Sequence, residues 1–215
     1  METAITKKHV GAGFIALFAI FLINGILVRI PVDYESIWWV IRAAVFNLLI
    51  IAAVVYIAFS RKCQSSLPAK IGGAMYALYL LWFVMETIAS QITGEGIIRF
   101  SSMTYVYISY FVLYVLGVFL FAWGSQLWLP SKIVYTASVL TNIFCYVMGT
   151  IVVHSMWRNG DDYEAIESVQ SMCDTASWVS FAFVAASLVL TIVWMCSKSK
   201  DDNQAETYKP ILNEI

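Results

Sequence analysis

Six apolar runs, each long enough to cross a bilayer, leave this chain few folds to choose from. A hydrocarbon core of roughly 30 Å takes about 20 residues of helix, and inside it every main-chain N–H and C=O must find a partner within the protein. The runs are Val10–Ile30, Ile37–Phe59, Ile71–Ile92, Ser102–Leu129, Ile133–Ser155 and Thr175–Cys196. The fourth is longer than a span needs, so it tilts or stands out of the membrane. Pro31, Pro68 and Pro130 all lie in the breaks between runs, where a missing N–H costs least. The pattern predicts an all-α, polytopic membrane protein: a bundle of six transmembrane helices over residues 1–197, then a flexible cytosolic tail over 198–215. Composition agrees, since 13% of the residues are charged against roughly 25% in a soluble domain. The first run follows Lys7-Lys8 as a signal sequence would. It is too long for one and lacks a small-residue cleavage site, so it reads as a retained span.

Orientation follows from lysine and arginine in the short loops. Lys7, Lys8, Arg61, Lys62, Lys70, Lys132, Lys198, Lys200 and Lys209 share one side, while Arg29, Arg99 and Arg158 hold the other. Both termini are therefore expected in the cytosol. The outer face is acidic, with Asp33, Glu35, Glu95, Asp161, Asp162, Glu164, Glu167 and Asp174. The longest outer loop, Met156–Asp174, reads as a short amphipathic helix at the interface. Asp161 would cap it, and Tyr163, Ile166 and Val169 would form its apolar stripe. Its acids lack calcium-loop spacing, so no metal is expected there.

Arg42 poses the main question, because it lies about five residues inside the second span. The other full charge within a span is Glu86 on the third. At ~1.5 Å per residue both sit roughly 8–9 Å below the outer boundary. Charges inside spans normally face the interior and pair, so an Arg42–Glu86 ion pair is expected. Asn24 and Tyr107 reach the same level and would complete its hydrogen bonds, with Tyr79 two turns from Glu86 on the same face. Such a cluster is either a substrate or ion site in the outer half of the bundle or a clamp that fixes helix packing.

Polar and small residues also recur at helical spacing. Gly72, Tyr79, Glu86, Ser90 and Thr93 mark the third span; Tyr107, Tyr110, Tyr114 and Gly117 the fourth. Ser138, Asn142, Cys145 and Gly149 follow on the fifth, and Ser177, Ser180, Ser187 and Thr191 on the sixth. Stripes of this kind line a cavity or pack helices tightly. Four of them around one charge pair point toward a cavity.

Several chemistries are absent. There is no basic stripe for nucleic acid, and no G-x-S-x-G, H-E-x-x-H, C-x-x-C or phosphate loop. No cofactor is implied. Glu86 has no evident catalytic partner, so an enzyme is the least supported class. The four scattered cysteines predict no disulfide framework. Cys63 and Cys196 stand just cytosolic of a span and are candidates for palmitoylation. In the tail, Tyr208 to Ile211 reads "YKPI" and resembles the tyrosine-based Y-x-x-Φ sorting signal bound by clathrin adaptors, in which Tyr208 and Ile211 would fill two pockets. That resemblance implies a plasma-membrane or endosomal/lysosomal location. The expected partners are the lipid bilayer, the adaptor, and a second copy or a larger membrane protein. The expected function is transport of a small solute or ion; the alternative is a non-catalytic organiser, accessory subunit or trafficking protein.

Overall fold

In the computed structural model, the structure describes residues 2–30, 37–93, 109–153, 155–156, 160 and 163–197. These residues are helical, with no strand among them. Among the described residues five helices are long and apolar enough to cross a membrane, and a shorter apolar helix covers Tyr110–Gly124.

α1 (Glu2–Val28) begins eight residues before the apolar run. Its polar first turns are docked: Lys7 Nζ donates to Ser197 O at 2.6 Å, and His9 Nδ1 meets Tyr56 Oη at 2.8 Å. α2 (Ile37–Phe59) has the bounds of the second run. Ser60 then caps a short 3-10 turn, Arg61–Cys63, by accepting from Lys62 N, and Gln64 closes it in the left-handed region. α3 (Leu67–Thr93) starts before the apolar run and holds Pro68 in its first turn, where helices tolerate proline.

The fourth run is divided. A π-helical stretch, Ser109–Leu116, leads into α4 (Gly117–Gly124), which stops at Ser125 rather than at Leu129. Lys132 Nζ donates to Trp123 O at 3.1 Å and Ser125 O at 2.7 Å, satisfying carbonyls that the end of α4 leaves open. α5 (Leu129–Tyr146) continues into a second π stretch, Val147–Val152.

α6 (Tyr163–Cys196) has 34 residues and is thus about 50 Å long at 1.5 Å per residue. The separate interfacial helix expected from the sequence is instead the first three turns of this rod. No glycine or proline interrupts 163–175, so nothing ends one helix before the next begins. Ile166 is buried, so the extension rests on protein, while Tyr163 is exposed and Val169 lies between. The proposed cap, Asp161, lies outside the described residues.

Neighbours in sequence pack against one another, and α6 returns to α1, which closes the ring. The core gathers toward the end where α1 begins. Phe14, Phe18, Ile57, Tyr76, Phe121 and Tyr135 are each no more than 3% exposed there. Phe14 packs on Phe121 at 5.5 Å and Phe18 on Tyr135 at 5.1 Å between ring centroids. The Lys7–Ser197 bond places the start of α1 and the end of α6 at this same end.

Candidate functional site

A helix leaves its last carbonyls without intrahelical donors, and they carry partial negative charge. Arg42 answers that need: its Nη1 donates to Leu27 O at 2.7 Å, one residue before α1 ends. Arg29 serves the same terminus, donating from Nη1 to Gly25 O at 2.6 Å. The Arg29 plane also lies over the Trp178 ring at 4.0 Å and reaches Ser177 Oγ at 3.2 Å. Two guanidinium groups thus close the C-terminus of α1 and join it to α2 and α6. The sequence signalled a charge in a span. It did not signal a main-chain acceptor, although every helix end offers some.

Glu86 is half-buried on α3. A Cβ on Gly73 would stand 2.6 Å from Ala58 Cβ and 3.6 Å from Val54 Cγ1. That antiparallel register brings Arg42 and Glu86 within about a turn of the same depth. Tyr79, on the same side of α3 as Glu86, is held by other rings: Tyr114 at 5.1 Å, Tyr110 at 6.1 Å and Trp82 at 6.4 Å. Tyr110 in turn stacks on Tyr146 at 3.7 Å and 13°. Asn24 is half-buried on α1. Tyr107, and Tyr208 and Ile211 of the tail, lie outside the described residues.

Much of the polar striping is spent on packing rather than on a cavity. Ser180 of α6 is the hub of the α5–α6 seam, with Ser138 Oγ at 2.9 Å and Asn142 Nδ2 donating to it at 3.0 Å. Thr191 Oγ1 donates to Ser131 Oγ at 3.2 Å farther along. On α3 and α4, Gly72 and Gly117 face each other so closely that a Cβ on Gly72 would stand 2.5 Å from Gly117 O. The crevice between α4 and α5, walled by Val118, Ala122, Tyr135 and Val139, has no room for a water molecule. An open groove of about 390 Å³ does occur, on the α5–α6 side between Thr141, Phe144, Met172, Thr175 and Val179.

The cysteines divide by exposure. Cys63 is fully buried, and burial pushes its thiol pKa up against an opposing hydrogen bond from Ser60. Cys196 is exposed. Of the two palmitoylation candidates, then, Cys196 presents a reachable sulfur and Cys63 does not. Among the described residues, no group of three or more His, Cys, Asp and Glu side chains is placed to hold a metal. Compared with protein-family models, curated proteins and solved structures, the chain matches none.

Proposed function

We propose that this chain is a small membrane transporter or channel whose polar site lies in the outer half of the bundle, here closed toward the inner face. The observation that carries the reading is an asymmetry of packing. Large side chains seal the inner half, with Phe14, Phe18, Tyr76 and Phe121 each no more than 1% exposed. Above them Asn24, Arg42, Tyr79 and Glu86 are only half-buried. Sealed packing below a half-buried polar level would suit alternating access, in which one side of the bundle is closed while the other opens. Six spans with both termini cytosolic agree with the lysine bias and with the meeting of the α1 start and α6 end. On this reading the tail at Tyr208 and Ile211 directs the protein to the plasma membrane or the endosomal and lysosomal membranes through an adaptor.

Purified protein in liposomes, offered protons, monovalent cations and small organic cations, tests the proposal. Wild type is expected to move one of these, and Glu86→Asp to change rate or selectivity per folded molecule. A second reading, an accessory or organising protein, draws on the Ser138–Asn142–Ser180 seam and the glycine contact, which use stripes for packing alone. Wild type that moves none of the three probes favours that reading and removes the first.

A further inference from the structure

The stripe on α5 and the extension of α6 bring together two cysteines that the sequence keeps 28 residues apart. Cys145 Sγ lies 3.5 Å from Cys173 O, and Cys173 Sγ lies 3.9 Å from Cys145 O. The Cys173 sulfur sits in the notch left by Gly149, 3.7 Å from where a Cβ would stand. Each sulfur therefore rests against the other residue's main chain, so the two side chains lie side by side across the α5–α6 seam. Both thiols are free and only half-buried. The other two cannot compete. Cys63 is buried beyond the inner end of α2, and Cys196 lies 23 residues down α6, roughly 35 Å away at the helical rise.

We infer that Cys145 and Cys173 form a redox modification site, closed to an intramolecular disulfide by exchange with a disulfide donor such as oxidised glutathione. One protein thiolate attacks a donor sulfur, giving a mixed disulfide and expelling one donor thiolate. The second protein thiolate attacks the chain's sulfur in that mixed disulfide and expels the other. The protein loses two electrons and two protons, and the donor leaves as two thiols. Rotation of each side chain from the facing carbonyl toward the facing sulfur makes the bond. On the proposed topology the pair lies in the non-cytosolic half, where disulfides persist.

The bond would tie α5, at the edge of its Val147–Val152 π stretch, to the base of the α6 extension. π stretches inside helices occur frequently at functional sites. Phe144 and Met172, each adjacent in sequence to one of the cysteines, wall the open groove, so the bond would lie beside that groove.

The full chain, purified in mild detergent, is incubated with oxidised or reduced glutathione, alkylated and digested without reductant. Oxidised glutathione is expected to yield a linked peptide pair containing Cys145 and Cys173, with both thiols lost from alkylation together and restored by reductant. Cys145→Ser should leave Cys173 as a mixed disulfide with glutathione. Independent alkylation of both thiols in the oxidised, monodisperse wild type would overturn the inference, as would linkage only between chains.

Discussion

Adding one methyl group at Gly72 should separate α3 from α4. Its Cβ would meet Gly117 O at 2.5 Å, Leu120 Cβ at 2.7 Å and the Phe121 main-chain nitrogen closer still. Two of these three are main chain, so no side-chain rotation relieves them. Ordinary contact requires the helices to part by roughly 1 Å, which forfeits a quarter to a half of the attraction at each neighbouring contact. The parting would spread along the seam, because Gly117 lies 3.0 Å, by the same measure, from Tyr76 N and Gly124 2.8 Å from Ser66 Oγ. In lipid no hydrophobic gain compensates for lost helix contact. Overpacking costs about 1–3 kcal/mol, and Gly72→Ala should sit at or above the top of that range. For a chain of this size ~3 kcal/mol corresponds to a fall of about 6–12 °C in Tm. Gly149→Ala is the control, since its nearest neighbour would be Cys173 Sγ at an ordinary 3.7 Å; its effect should stay within about 0.5 kcal/mol. Thermal unfolding of both variants in the same detergent decides the matter. Equal midpoints for the two would refute the close crossing.

Ser180→Ala removes the partner of both Ser138 and Asn142 and should cost about 1–3 kcal/mol; the Ser138→Ala/Ser180→Ala double variant should cost less than the two single losses added. In thermal unfolding, strictly additive losses would show that the two hydroxyls are independent. Cys196 should react with maleimide far faster than Cys63 in the folded protein, because Cys63 is buried and its raised pKa leaves less thiolate at any pH below it. Any fatty-acyl label taken up in cells should accordingly map to Cys196, and a label retained in Cys196→Ser would contradict the burial of Cys63.

The α2 bounds were legible because polar residues flank that run abruptly: acids before Ile37 and Ser60-Arg61-Lys62 after Phe59. The start of α6 was not, because hydropathy falls between Tyr163 and Thr175 while helix propensity does not. The division of the fourth run at Leu116 depends on how α3 and α4 cross, which no window of the sequence contains. Gly72, Gly117, Ser138 and Ser180 were each visible as members of a polar or small-residue face. Spacing shows which residues share a face, but it cannot show what that face meets. For the same reason Cys145 was read as part of a stripe and the four cysteines as scattered, although Cys145 and Cys173 are opposed.

Arg42 and Glu86 bear most directly on function. If each existed only to neutralise the other, removing either would strand a charge in the membrane at a cost of about 3–5 kcal/mol, and the two single variants would be equally harmful. The Leu27 carbonyl changes that expectation. With Glu86→Gln, Arg42 still donates to the end of α1, where the helix dipole favours a cation. With Arg42→Gln, α1 loses one of the two guanidinium groups that close it, and its tie to α2. Arg42→Gln should therefore destabilise the protein more than Glu86→Gln, by roughly the 1.5–3 kcal/mol of a hydrogen bond to a charged group. Thermal unfolding of the two variants and their double measures this, and the cycle also reports how strongly the residues are coupled. Equal losses with strong coupling would mean that the ion pair, not the α1 terminus, holds Arg42 in place. The unequal outcome makes Glu86 separable from the fold, so that a change in flux on its substitution reports on the site rather than on damage to the bundle.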